Sequence, residues 1–323
     1  MSASVQEPGR ARELLLQSYG LIQALAVLAI LVIVMSILSP RFLTWINLTN
    51  LMGQMAVPLI VAAGMTIVMI SGEFDISVGS VVALCAAVSA WLMTQVGIVP
   101  AVLLSLAIGP AIGWVNGIIT TKGKIPSFIV TLGTLMMARS LAFVVTGGQV
   151  LSNLPDAFRW IGTARLGGVP ISFLVALSFY AIGWLVLTRT AFGKRVYAVG
   201  ANRMVATLSG IRADRVKIQC LMIVGFCAAF AGNILLARIG AIQADTGRGL
   251  EFEVIAAVVI GGTSLYGGQG NILRTIIGVI IIALIRNFLN LSRIDIFWQD
   301  FATGAIIIGA VLLDALQKRV GRR

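Results

Sequence analysis

The chain contains about ten long apolar runs, each near the twenty residues that an α-helix needs to cross a bilayer. Inside a bilayer the backbone must satisfy its own hydrogen bonds, so such runs form helices. They lie near 18–38, 51–70, 76–96, 98–120, 126–146, 169–188, 217–237, 252–268, 271–290 and 301–316. The pattern predicts an all-α membrane protein, a polytopic helical bundle of about ten transmembrane helices.

The distribution of charge predicts how the bundle lies in the membrane. Only 11% of the 323 residues are charged and 59% are hydrophobic, whereas soluble domains carry roughly 25% charged residues. Most Lys and Arg fall in alternate connections and in both tails, which by the positive-inside rule places the N- and C-termini in the cytoplasm. This orientation accounts for the net charge of +12 better than nucleic-acid binding does, because no basic face is interleaved with aromatic residues.

We expect one domain between two short tails. Residues 1–17 form a cytoplasmic N-terminal tail, 18–316 a single transmembrane domain, and 317–323 a basic cytoplasmic tail. The most charged connection, about 188–217, is too short to hold a hydrophobic core of its own. The first apolar run is too long for a signal peptide and no cleavage site follows it, so we expect it to remain as a span.

Several kinds of chemistry are excluded by the residues present. The chain has no histidine, and Cys85, Cys220 and Cys227 lie in apolar runs without paired ligand spacing, as small buried hydrophobes do. No glycine-rich run continues into the Lys-Ser or Lys-Thr of a phosphate-binding loop. We therefore expect no catalytic residue, no metal site, no cofactor and no ATP hydrolysis by this chain.

The first candidate site is the polar run between the second and third apolar segments. Its carboxylates and hydroxyls belong to Ser71, Glu73, Asp75, Ser77 and Ser80. Ionisable groups at membrane depth are costly unless they face a cavity or a partner, so they could line a solute pathway. The alternative is a tight cytoplasmic turn in which Asp75 or Ser77 caps the third helix.

The second candidate lies in the connection 188–217. Asn202 can cap a short helix from Arg203 to Ser209, and Gly210 can end it. A helix that projects from the membrane suits docking into a groove of a partner, although an ordinary positively charged loop would have the same composition.

Two further segments allow either a functional or a purely structural interpretation. The glycine-rich run 261–270 contains Thr263 and Ser264 and could form a broken helix over a cavity or allow close helix packing. The outer hairpin 238–253 could contact a delivery protein or form a solvated loop. Its candidate contacts are Arg238, Asp245, Arg248 and Glu251.

Taken together, these motifs resemble the ribose-type permeases of ABC importers. GMTIVMISGEFDISVGSVVAL, from Gly64, is similar to the family's signature, with Glu73-Phe74 in place of its usual pair. YAVGANRMVATLSGIRADRVKI and EFEVIAAVVIGGTSLYGGQGNILRTIIG, from Tyr197 and Glu251, are similar to two further family blocks, and Arg139 lies where such permeases carry an arginine.

The resemblance implies a multi-pass subunit of the bacterial inner membrane. It implies a cytoplasmic ATPase subunit, a periplasmic sugar-binding protein and a second permease chain, identical or a sister, as partners. Docking of the ATPase on the inner loop is implied, and the residues concerned are Gly200, Asn202, Arg203, Ala206, Leu208, Ser209, Gly210 and Ile211. Secondary transporters and channels for small polar solutes are the alternatives.

Overall fold

The computed structural model describes residues 24–295, 297–299, 301–306, 308–309 and 312. Its helices up to residue 291 are α1 Ala24–Leu38, α2 Trp45–Ile70, α3 Val78–Val96, α4 Ile98–Lys122, α5 Ser127–Thr146, α6 Asp156–Thr163, α7 Ile171–Arg189, α8 Ala191–Ala201, α9 Arg203–Leu208, α10 Ala213–Ile239, α11 Leu250–Ile260 and α12 Ile272–Leu291. Further helical residues follow at 297–299 and 301–306. The prediction of a helical membrane protein is confirmed.

Seven helices of the described chain are long and apolar enough to span a membrane: α2, α3, α4, α5, α7, α10 and α12. Seven of the ten predicted runs therefore correspond to these helices. The first and last predicted runs lie partly outside the described residues and both predicted tails lie entirely outside them, so the orientation of the termini stays a prediction.

The eighth predicted run differs most from the structure. We expected a span at 252–268, but α11 has only 11 residues and ends before Gly261. A helix of that length is about 16 Å long, roughly half of the hydrocarbon core of a bilayer. The chain then forms an irregular loop over residues 261–271 before α12 begins. Helix α11 is therefore long enough to cross only about half of the bilayer core, and we call it a half-span.

The core is built around α2 and α10, which are the most buried of the long helices. Close packing of α10 against α4 depends on Gly109, Gly113 and Gly117, which lie on one face of α4. A Cβ at any of them would collide with α10, at Gly225, Leu221 or Ile218. Small residues spaced in this way let helices in lipid approach closely. By contrast α4, α5 and α7 expose most of their apolar side chains, as lipid-facing helices do.

The connections carry short elements that cap the two ends of the bundle. Between α5 and α7 the chain forms α6 and then a short hairpin, in which β1 Arg165–Leu166 pairs with β2 Val169–Pro170. On the opposite end of α7, the charged connection folds into α8 and α9. Both lie between α7 and α10, on one end of the bundle.

Candidate functional site

The polar run after α2 forms an irregular stretch, residues 71–77, which we call the α2–α3 segment. Gly72 has φ +82°, a backbone conformation that favours glycine, and the helix stops here. The Ser71 hydroxyl donates to the carbonyl of Val68 at 2.7 Å, so it secures the end of α2 from within its own helix.

The extended part of the α2–α3 segment is bonded to α5. The backbone N–H of Phe74 donates to the hydroxyl of Ser127 at 3.0 Å, and that of Ile76 to the hydroxyl of Thr131 at 3.2 Å. These hydroxyls accept hydrogen bonds from backbone N–H groups that have no partner within a helix. Neither Ser127 nor Thr131 was a sequence candidate, since a hydroxyl in an apolar helix usually bonds to its own backbone.

Asp75 is a buried carboxylate, with 2% of its surface exposed. Its Oδ1 accepts hydrogen bonds from the Ser77 backbone N–H at 2.8 Å and from the Ser77 hydroxyl at 2.5 Å. Ser77 precedes α3, but its side chain makes no capping bond. The Ser77 side chain therefore does not cap α3. Instead, Asp75 holds Ser77, the residue that precedes α3, through these two hydrogen bonds.

Glu73 forms an ion pair with Lys217, near the start of α10. The two side chains are only 9% and 12% exposed, and a buried charge of either sign is tolerated when it is paired. This contact joins the α2–α3 segment to the helix that follows the charged connection 188–217. Lys217 was not a sequence candidate, because it lies at the end of the charged connection 188–217 and has no local pattern that singles it out.

The first turns of α3 and α11 meet around Glu251. Its carboxylate Oε2 and the carbonyl oxygen of Gly247 fill the space that a Cβ on Gly79 would need. Glu251 is 4% exposed, and its Oε1 accepts a bond from the Gly249 backbone N–H at 3.3 Å. Its Oε2 and the nearby buried hydroxyl of Ser80 have no hydrogen-bond partner among the described residues. Polar atoms in this state suit a site that a solute or water completes.

Arg139 holds the chain that leads into this junction. Its Nη1 donates to the carbonyl oxygens of Ala244 and Thr246, at 2.6 and 2.8 Å. Arg139 lies seven residues before the end of α5 at Thr146, about 10 Å along the helix axis. The hairpin between α10 and α11 is thus bonded to a side chain that starts within this span.

The outer-hairpin candidates divide into two groups. Asp245 and Arg248 are exposed and form an ion pair at 3.7 Å, while Arg238 is half-buried at the end of α10. Glu251 was predicted as a contact for a delivery protein. The structure differs here, because it buries this carboxylate against Gly79, whereas Asp245 and Arg248 are exposed.

The loop 261–271 meets the end of α2. The Gly268 N–H donates to the carbonyl of Ile70 at 2.8 Å. Thr263 is buried and its hydroxyl lacks a partner among the described residues, while the Ser264 hydroxyl accepts from the Tyr266 N–H at 3.1 Å. Thr263 therefore lies buried in the loop that meets the end of α2, and Ser264 is engaged within its own loop.

The predicted short helix in the charged connection is present as α9. The Asn202 side chain accepts from the N–H groups of Met204 and Val205, at 3.0 and 3.1 Å. At the other end, Ser209 follows the last helical residue and Gly210 has φ +81°. The helix is one residue shorter than predicted.

The side chains of α9 point two ways. Ala206 is buried, and the Ile211 N–H donates to its carbonyl at 3.0 Å. Leu208 is 82% exposed, and Met204 and Val205 are exposed with it. Arg203 pairs with Asp214 at 2.8 Å. An apolar tip on a short projecting helix is suited to a protein partner.

Gly200, in the last turn of α8, lies against the end of α2 and the loop 261–271. A Cβ at this position would collide with the Ile70 carbonyl and the Gly268 N–H. The Tyr197 hydroxyl donates to the carbonyl of Gly270 at 2.9 Å, and burial raises the pKa of this phenol. Helix α8 is therefore in direct contact with the end of α2 and with the loop 261–271.

The chain combines a helical bundle with a short helix inside it, α11, and a short projecting helix, α9. It matches a known protein family. Residues 47–312 match the family described as branched-chain amino acid transport system / permease component. The chain belongs to this permease family. The permease is accordingly a multi-pass membrane protein and a transport component rather than an enzyme.

Its relatives are similar over nearly their whole length. The permease is 41% identical over 290 residues to the ribose import permease protein RbsC of Bacillus subtilis (strain 168), covering 89% of this chain and 90% of that protein. Identity to RbsC of Escherichia coli (strain K12) is 38% over 297 residues, with coverages of 90% and 92%.

A third relative carries a different transport name. The autoinducer 2 import system permease protein LsrC of Yersinia pseudotuberculosis serotype O:1b is 36% identical over 293 residues, covering 90% of this chain and 83% of that protein. No solved structure matches the permease. The family resemblance drawn from the sequence motifs is confirmed.

Proposed function

We propose that the permease is the membrane subunit of a bacterial ABC importer that moves a sugar or sugar-like solute across the inner membrane. The observation that carries this proposal is its near full-length similarity to ribose and autoinducer 2 import permeases. The family description names branched-chain amino acids, but the relatives named above are import permeases for ribose and autoinducer 2. We base the proposed solute class on these relatives.

The energy for transport comes from a partner in this proposal. A cytoplasmic ATPase subunit docks on the exposed apolar tip of α9, formed by Met204, Val205 and Leu208. Closure of the ATPase pair moves α9 and α8, and the contacts of Gly200 and Tyr197 carry that motion to the end of α2. A second permease chain and a periplasmic binding protein complete the importer.

The solute pathway runs past the α2–α3 segment and the junction around Glu251. Asp75, Ser80, Glu251 and Thr263 are polar groups buried in an otherwise apolar bundle. Three of them hold oxygen atoms without a partner among the described residues, which a hydroxylated solute could satisfy. Exposed Asp245 and Arg248 remain the candidates for contact with the binding protein.

The test is uptake by proteoliposomes that contain the permease, its ATPase and its binding protein. Labelled ribose, other sugars, autoinducer 2 and leucine are offered with and without internal ATP. We expect ATP-dependent accumulation of one sugar-like solute, abolished when the ATPase is inactivated. Accumulation of leucine alone would overturn the solute class, and uptake without ATP would favour a secondary transporter or channel.

A further inference from the structure

A cavity of about 530 Å³ opens beside α9, on the end of the bundle that carries the charged connection. It lies between α8, the turn after α9 and the first turns of α10. Arg195, Arg212 and Arg215 line it, together with Ser209, Ile211 and Gln219. Three exposed arginines thus border one concave surface.

Among the described residues, no carboxylate lines this cavity. The nearest acid along the chain, Asp214, pairs with Arg203 at 2.8 Å, and none of the three lining arginines forms an ion pair within the described residues. Like charges that converge without a counterion repel one another, so an anion held among them lowers the electrostatic free energy. Guanidinium groups bind phosphate oxygens in a bidentate manner.

The position of the cavity indicates a lipid as the source of the phosphate. Helix α7 ends at Arg189, whose guanidinium lies 5.7 Å from the ring centre of Trp184. Trp and Arg at the end of a span mark the membrane–water interface. Arg195 follows only six residues later, and Ile211 and Val216 give the cavity an apolar side. A headgroup with its glycerol backbone fits this combination better than a free, fully hydrated phosphate does.

We propose that this arginine cavity binds the phosphate headgroup of an anionic phospholipid. The bound lipid neutralises the turn between α9 and α10 and fixes α9 relative to the membrane surface. The placement on the inner leaflet rests on the orientation in the proposed function, but the binding itself does not depend on transport.

The test measures lipid binding to the full-length permease in detergent by native mass spectrometry. Phosphatidylglycerol is titrated against phosphatidylcholine of the same chain length. Wild type should prefer phosphatidylglycerol, and the double variant Arg195→Gln/Arg212→Gln should bind it about tenfold more weakly. The matched control is Lys122→Gln/Lys124→Gln, which removes two exposed charges of another connection and should bind as wild type does.

Three results would overturn the proposal. Equal weakening in both double variants would mean that only net charge matters, and unchanged binding in both would exclude the cavity. Full displacement of the lipid by millimolar inorganic phosphate would assign the cavity to free phosphate. Size-exclusion profiles check that the variants fold, and because no transport is measured, failure here leaves the proposed function untouched.

A protein ligand is tested in a separate arm. Purified ATPase subunit is added to the lipid-bound permease. If the ATPase displaces the lipid and the Arg195→Gln/Arg212→Gln variant fails to bind the ATPase, the cavity is a protein-docking site and the lipid assignment is wrong. Retention of the lipid in the permease–ATPase complex would support it.

Discussion

At the scale of single residues, the ion pair between Glu73 and Lys217 decides how the α2–α3 segment is held. Removing one partner leaves an uncompensated charge in a site that is about nine-tenths buried, which costs about 3–5 kcal/mol. Glu73→Gln or Lys217→Met alone should therefore lower the thermal unfolding midpoint clearly. The double variant should recover most of the loss, because no charge is left buried. Additive losses in the double variant would contradict the pairing.

Asp75 allows its charge to be separated from its hydrogen bonds. Asp75→Asn keeps an Oδ1 that accepts from Ser77 but removes the negative charge, whereas Asp75→Ala removes both. If the charge acts in the pathway, both variants lose ATP-dependent uptake while the assembled complex is recovered in normal yield. If Asp75 only fixes the start of α3, Asp75→Asn should transport as wild type does and Asp75→Ala alone should assemble poorly.

Gly79 tests the close contact at the junction of α3 and α11. A methyl group there would collide with Glu251 and the Gly247 carbonyl, and overpacking of this kind costs about 1–3 kcal/mol. Gly79→Ala should lower the unfolding midpoint and reduce uptake. Gly133→Ala, inside α5 with no atom of the described residues within 4 Å of its Cβ position, is the matched control and should be neutral or slightly stabilising. Similar losses in both variants would argue against the junction.

At the scale of elements, α9 is the proposed point of coupling. The Ala206 N–H donates to the Asn202 carbonyl, and proline would remove this bond and break the helix at a cost of about 3 kcal/mol. Ala206→Pro should leave ATP hydrolysis no longer stimulated by solute. Ala191→Pro places the same change at the first residue of α8, where proline is tolerated, and should stay coupled. Solute-stimulated hydrolysis in Ala206→Pro would count against the coupling role.

The elements also show what the sequence could and could not predict. Seven spans and α9 follow from local signals, namely apolar length and the Asn202 and Gly210 helix ends. The sequence prediction extended α11 too far, to residue 268, because hydropathy alone does not show where a helix ends inside the bundle. The pairing of Glu73 with Lys217, 144 residues apart, and the burial of Glu251 against Gly79 depend on how helices pack. No local pattern encodes such contacts.

At the scale of the whole molecule, the orientation in the membrane connects all of these sites to their partners. Leu166 precedes α7 and Leu208 lies beyond its other end, so a 19-residue span separates them. Both side chains are exposed, at 67% and 82%. The native cysteines Cys85, Cys220 and Cys227 are buried, so they contribute little background to a thiol-labelling experiment. These two leucines form a matched pair for determining which end of the bundle faces the cytoplasm.

In intact spheroplasts, a membrane-impermeant maleimide should label Leu166→Cys and leave Leu208→Cys unlabelled. Permeabilisation should expose Leu208→Cys, because the positive-inside rule places the arginine-rich connection between α7 and α10 in the cytoplasm. The opposite pattern would place α9 outside, where no ATPase could reach it, and would remove the basis of the coupling proposal. Adding the ATPase subunit to permeabilised membranes should then protect Leu208→Cys from labelling, while Leu166→Cys keeps its reactivity.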